Sequence, residues 1–243
     1  MANPESTNRQ MSAEEARQAL IDAGLILEAA GQGDLTRGHV SVRVPGDPTH
    51  FYMKPHSRGF DEITHENIVI CNLDGEKVAG GGRKHSEVYI HSEIFKARPD
   101  VMSVIHTHPT HAVALSATGR PLRPISQPSV AFFDGLPTFT DTIELIRTQD
   151  MGAGVARALG PHKAVLMRNH GVAVVGTSIE ESTILAIMLD NACHIQLLAD
   201  ASGQQGIEFD EACVKRLHDT ITKQEQYTIN FDYLRRRARR QSA

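Results

Sequence analysis

The stretch VIHTHPTHAVALS, residues 104–116, sets His106 and His108 two apart in what otherwise reads as a buried strand. Side chains two apart on a strand project from the same face, so two imidazoles share one side of an apolar run. A buried polar ring must find a partner. Either each imidazole is hydrogen-bonded separately in the core, or both face one shared ion. Pro109 ends the strand, and PTHAVALSATG (109–119) then reads as a short helix stopped by glycine.

Working outward from this strand, Ser12 and Glu15 form a capping box ahead of a helix expected over 12–31, which Gly31 and Gly33 stop. Residues 38–55 alternate as a strand, a Pro-Gly-Asp-Pro turn and a second strand; residues 66–81 repeat the pattern around Asp74–Gly75. SEVYIHSEIFKARPD (86–100) reads as a helix ended by Pro99. Beyond residue 120 the pattern predicts a strand over 137–142, a helix over 144–159, a strand hairpin over 163–176 and a long helix over 178–203. Helices flanking antiparallel hairpins, with no linker and no internal repeat, imply one α/β domain around a mostly antiparallel sheet. That domain is expected over 12–225, with 226–243 a C-terminal tail or helix placed to contact a neighbouring subunit.

The composition is that of an ordinary globular chain: 243 residues, 40% hydrophobic and 22% charged. A net charge of −4 offers no basic field for nucleic acid or an anionic membrane, and the basic YLRRRARR (233–240) reads as a solvated terminal run. Cys71, Cys193 and Cys213 are widely spaced without a CxxC, which argues against a disulfide framework. No apolar run approaches the ~20 residues needed to cross a bilayer. The polar MANPESTNRQMS start lacks the apolar core of a signal peptide. A cytoplasmic location is the expectation.

Seven of the thirteen histidines fall between residues 39 and 106. A third candidate ligand, His170, stands on the turn of MRNHGVAVVG directly before Gly171, at a strand end where sites are commonly found. Glu87 is the natural oxygen ligand, at the start of a helix reached through the Gly-rich AGGGRKHSE; its plainer role is to complement the helix dipole. Three neutral imidazoles and one carboxylate suit Zn²⁺ or another divalent transition ion and leave room for substrate.

GDLTRGHVSVR (33–43), MKPHSRGFDEIT (53–64), HSEVYIHSEIFKARPDVMSVIHTHPTHA (85–112) and RNHGVAVVG (168–176) together resemble the class II aldolase/adducin family over roughly residues 12–200. The resemblance implies a three-layer α/β/α domain with a central, largely antiparallel sheet. It also implies a homotetramer with its sites at subunit interfaces. One divalent metal per subunit is implied, Zn or Mn with Fe or Co as further options, held by His106, His108, His170 and Glu87. Glu87 would coordinate the ion or shuttle a proton. Adducin itself resembles this fold without the metal residues, and all four are present here.

The aldolase branch cradles a sugar phosphate with small donors, and this sequence departs from it at three places. His39 follows Gly38, His56–Ser57 follows Pro55, and His85–Ser86 precedes Glu87. Imidazole, guanidinium and ammonium donors at His39, His56, Arg58, Lys84 and His85 suit carboxylates instead, although Arg58 and Lys84 also read as solvated surface charges. MKPHSRGFDEIT is similar to the family's decarboxylating branch, that of 3-hydroxy-2-methylpyridine-4,5-dicarboxylate decarboxylase and the dihydroxyphthalate decarboxylases.

The expected substrate is therefore a small hydroxylated aromatic or heteroaromatic (di)carboxylate. Glu87 or His85 would deliver the proton, and His39, His56, Ser57, Arg58, Ser86 and Tyr233 would contact the substrate. Tyr233 fits the resemblance's C-terminal aromatic reaching over a neighbouring subunit's site, or packing at an interface. His91, four residues after Glu87, shares its helical face as a supporting partner, and His111 reads as a cap or packing residue. Competing readings are an aldolase or dehydratase acting on a sugar or sugar phosphate, and a non-catalytic adducin-like module.

Overall fold

A computed structural model describes residues 11–204 and 206–241. Residues 1–10, which carry most of the N-terminal reading, and 242–243 at the end of the expected tail lie outside the described residues. The Ser12 hydroxyl accepts from the Glu15 amide at 3.2 Å while the Glu15 carboxylate takes the Ser12 amide at 2.8 Å, which starts α1 (Ala13–Ala29). Two hairpins follow, β1 (His39–Val44) with β2 (Asp47–Met53) and β3 (Val69–Asn72) with β4 (Lys77–Gly80). Then come α2 (Val88–Ala97), β5 (Ser103–Thr107), α3 (Thr110–Thr118), α4 (Gln127–Val130) and β6 (Thr138–Phe139). The chain continues through α5 (Gln149–Leu159), β7 (Ala164–Met167), β8 (Gly171–Gly176), α6 (Ile179–Ala201), α7 (Glu211–Ile221) and α8 (Gln224–Gln241).

The strands form one sheet in the order β4-β3-β2-β1-β5-β8-β7-β6. The β6–β7 pair is parallel and every other pair is antiparallel. Helices cover both faces, so the strands are apolar on both sides and split their residues between two cores. Val40, Val42, Ile105, Val172 and Val174 meet Leu20, Leu27, Leu185 and Leu189 of α1 and α6. Phe51, Met53, Val104, Ala173 and Val175 meet Ile90, Ile94, Phe95, Val155 and Leu159 of α2 and α5. The expected three-layer α/β arrangement with a largely antiparallel sheet is what the chain adopts.

Period-2 alternation also places the polar residues. His39 pairs with His106 and Ser41 with Val104, so His39, Ser41 and His106 share the face that α2 covers. The buried Arg43 guanidinium fixes α2 above that face. It donates to the carbonyls of Val101 (2.8 Å), Pro48 (2.6 Å), Phe95 (2.6 Å) and Arg98 (3.3 Å), and lies 4.5 Å from the Phe95 ring centroid.

Four elements differ from expectation. The helix expected from residue 144 begins at Gln149, because extended Thr148 caps it by accepting from the Met151 amide at 3.3 Å. α4 and α7 are short and lie in polar sequence, and the apolar pattern does not reveal them; Asp210 caps α7 by accepting from the Cys213 amide at 2.9 Å. The terminal helix starts at Gln224, and its buried Tyr227 and Phe231 join the core beneath α1 and α6. One described helix, α6, is long and apolar enough to cross a membrane by length and composition, yet half of that window is buried inside the protein against β5, β8 and α1.

Arg43→Ala leaves several buried carbonyls without a donor and is expected to lower unfolding stability by about 3 kcal/mol. Urea denaturation measures this, and Arg43→Lys should recover less than half, because one ammonium cannot span four carbonyls in three directions.

Candidate metal centre

His106 is the last residue of β5 paired to β1 and is fully buried; His108 follows just past the strand on the same side. His170 arrives on the β7–β8 turn, which Asn169 closes in the left-handed region at φ 59°. Gly171 is required by space. A Cβ there would lie 2.5 Å from the Thr107 carbonyl and 2.8 Å from the His108 ring. The absent side chain lets the turn press His170 against the pair. The His106 ring is edge-on to those of His108 (4.7 Å) and His170 (5.1 Å), and the last two stack at 5.4 Å.

Glu87 precedes the first turn of α2 but makes no capping bond there. Its Oε1 accepts from the Ile146 amide at 2.9 Å and lies 3.6 Å from His170 Nε2. Its Oε2 lies 3.8 Å from His106 Nε2 and 3.7 Å from His39 Nε2. These ring distances are too long for hydrogen bonds but match the ligand-to-ligand spacing around one cation. One donor atom from each of Glu87, His106, His108 and His170 falls within 4.8 Å of the others.

Burial, then the neighbouring imidazoles, drives the His106 pKa far down; burial and His108 bring His170 to about 4. Burial lowers His108 too, against the pull of Asp34, whose Oδ2 stands 3.1 Å from His108 Nδ1. Burial raises the Glu87 carboxyl, opposed by the Ile146 amide and the Arg147 charge. The imidazoles are therefore neutral, and a neutral imidazole keeps one bare lone pair. His106 Nδ1 spends its hydrogen on the Val172 carbonyl at 2.9 Å, leaving Nε2 bare. His106 Nε2 and both His170 nitrogens are buried without a hydrogen-bond partner. Bare buried nitrogens around a carboxylate, one of them oriented by a carbonyl behind it, fit a divalent ion such as Zn²⁺, Mn²⁺, Fe²⁺ or Co²⁺.

A second group shares Glu87. The His39 ring lies tilted 4.1 Å from that of His85, and His85 lies 5.2 Å from His56. Burial, with Lys54 next, lowers His85 to about 3. His91 touches this group through His39: His39 Nδ1 to His91 Nε2 is 2.5 Å, and His91 Nδ1 to Ser41 Oγ is 2.6 Å. His91 thus supports His39 rather than Glu87. His111 holds Asp190 at 2.8 Å, and that carboxylate also takes the first amides of α3.

The remaining expected contacts scatter. His56 is half-buried and bonds Ser57 Oγ, with Ser57 exposed in the left-handed region at φ 64°. Ser86 is half-buried beside Glu87. Arg58 is exposed and paired to Glu62 at 3.2 Å, and Lys84 donates to the Gly75 carbonyl at 2.7 Å, so both cations are engaged away from the histidines. Tyr233 is 49% exposed on α8, which packs against α1 and α6.

Sequence reasoning missed Ser41, the Ile146 amide and Lys54. Lys54 is wholly buried, donates to the Thr36 (3.1 Å) and Pro55 (3.4 Å) carbonyls, and is pushed down to about 8 by burial. Only Ser41 had a signal, its position two residues from His39 on one strand.

Residues 18–197 match the class II aldolase and adducin N-terminal domain. The meiotically up-regulated gene 14 protein of Schizosaccharomyces pombe is 34% identical over 195 residues, covering 79% of this chain and 74% of that protein. A 3,4-dihydroxyphthalate decarboxylase of Arthrobacter keyseri is 29% identical over 203 residues, covering 77% and 80%. Among solved structures, L-fuculose 1-phosphate aldolase from Glaciozyma antarctica PI12 superposes with a TM-score of 0.83 at 28% identity, covering 97% of this chain and 93% of that one. Because that family match spans 180 of the 243 residues, this chain belongs to the class II aldolase and adducin family.

Proposed function

We propose that the protein is a divalent-metal-dependent lyase that decarboxylates a hydroxylated aromatic or heteroaromatic (di)carboxylate. The observation that carries this reading is the convergence of His106, His108, His170 and Glu87, with bare ring nitrogens buried around one carboxylate. The decarboxylase relative supports the choice of reaction, as does the close grouping of the rings of His39, His85 and His56, bulky imidazoles at positions for which the resemblance implies small phosphate-binding donors in the aldolase branch.

A bound ion would supply Lewis acidity toward a substrate oxygen. The chain's own groups do the rest. Loss of CO₂ leaves the electrons of the broken C–C bond on a ring carbon, and a proton must take them up. We assign that proton to the Glu87–His85 side of the cluster, where the Ile146 amide holds Glu87 Oε1. His39, His56, Ser57 and Ser86 contact the substrate, and Lys54 adds positive charge behind them. Fourfold assembly with Tyr233 reaching a neighbouring site, and a reducing cytoplasmic setting for the three free thiols, complete the reading. The structural likeness to a sugar-phosphate aldolase supports aldol cleavage as the second reading, since one scaffold can host both reactions.

His108→Ala should remove the divalent ion held by this set and lower turnover at least ~10²-fold. Circular dichroism and the urea midpoint should stay near wild type; a variant that unfolds yet keeps its metal would return the histidine pair to core packing. Metal-replete protein should release CO₂ from hydroxypyridine or hydroxybenzene dicarboxylates and leave ketose phosphates intact. Cleavage of the ketose phosphates alone would establish the aldolase reading, and absence of bound metal the adducin-like one.

A further inference from the structure

Of the donors expected to suit a substrate carboxylate, His39, His56, Arg58, Lys84 and His85, the structure engages the two permanent cations elsewhere, so the distal carboxylate of a dicarboxylate needs another cationic partner. Four of the cations around the centre are engaged elsewhere. Arg37 is bound to Asp34 at 2.8 Å, Arg58 to Glu62 and Lys84 to Gly75. Lys54 is wholly buried on two carbonyls.

Arg147 differs. It is exposed and makes no ion pair or hydrogen bond among the described residues, although Glu144 and Asp150 stand three residues to either side. It sits on the segment between β6 and α5 that the metal centre itself tethers. The adjoining Ile146 side chain is fully buried in the α2–α5 core, and the Ile146 amide holds Glu87 Oε1 at 2.9 Å. That anchor fixes the backbone of Arg147 one residue from a Glu87 contact, and its charge is felt at the Glu87 carboxyl. Ile143 (63%) and Leu145 (39%) are exposed on the same segment, aliphatic surface suited to the edge of an aromatic ring.

We propose that Arg147 is a specificity-determining residue, its guanidinium gripping the second carboxylate of an aromatic dicarboxylate whose other oxygens face the histidine cluster. A planar fork with no competing partner takes a carboxylate bidentately, which a lysine does not. The proposal rests on the metal-dependent reading above and names the substrate class within it.

The test is equilibrium binding of phthalate and benzoate to manganese-loaded, full-length protein by calorimetry, with metal content measured on the same samples. The two probes differ by one carboxylate and lack the ring hydroxyl. Wild type should prefer phthalate by about 10–100-fold, the scale of a charged hydrogen-bonded pair. Arg147→Gln should abolish that preference while metal content and benzoate binding stay unchanged, and Arg147→Lys should keep only part of it. A wild type without the preference, or an Arg147→Gln variant that retains it, overturns the assignment. If metal is bound and the preference is absent, only Arg147 is misassigned. If no metal is bound, the lyase reading fails as well.

Discussion

The antiparallel register between β1 and β5 is the constraint on which the rest of the structure depends. Pairing His39 with His106 and Ser41 with Val104 puts every ring of that row on one face of the sheet. A slip by one residue would turn the histidines into the α1–α6 core and bring Val40 and Ile105 out toward α2. The register is protected because Val40, Val42 and Ile105 must fill one core while Val104 fills the other. The Ser103 hydroxyl, donating to the Ser41 carbonyl at 2.9 Å, ties the same two strands. Hydrophobic patterning thus carries the alignment of the polar site.

The price of that alignment is a set of desolvated imidazoles around a buried carboxylate. His39, His91 and His106 have no exposed surface, and burial keeps them neutral. Neutrality suits the arrangement, since clustered imidazolium ions would repel one another, and it leaves lone pairs free for a cation. Each support behind the rings orients one nitrogen: the Val172 carbonyl for His106, and His91 with Ser41 for His39. Farther out, Thr107 donates to Gln32 at 2.8 Å, and Gln32 to the Ala186 carbonyl at 2.8 Å, bracing the end of β5 against α1 and α6.

Parts of the site were legible along the chain because they are local. His106 and His108 share a face by the geometry of a strand, His170 precedes a glycine in a tight turn, and Glu87 opens a helix in a glycine-rich approach. The capping box of α1 and both early hairpins were legible for the same reason. Where the reading failed, a competing local interaction or a short element intervened. Thr148 capped α5 late, releasing Ile146 to serve Glu87, and α7 hid in a polar segment with Val214 as its buried residue. Arg58 looked available until the turn at Phe60–Glu62 brought Glu62 within reach of its guanidinium.

Sequence alone determined most of the elements, the antiparallel character of the sheet and the identity of the four residues able to share an ion. These follow from side-chain periodicity, turn chemistry and ligand type, all of which act over a few residues. Tertiary structure alone decided that His91 serves His39, that an amide from the 144–148 segment holds Glu87, and which arginine is left free beside it. Those outcomes depend on packing α2 and α5 over one sheet face, where residues about fifty positions apart or more compete for the same buried hydrogen-bonding groups.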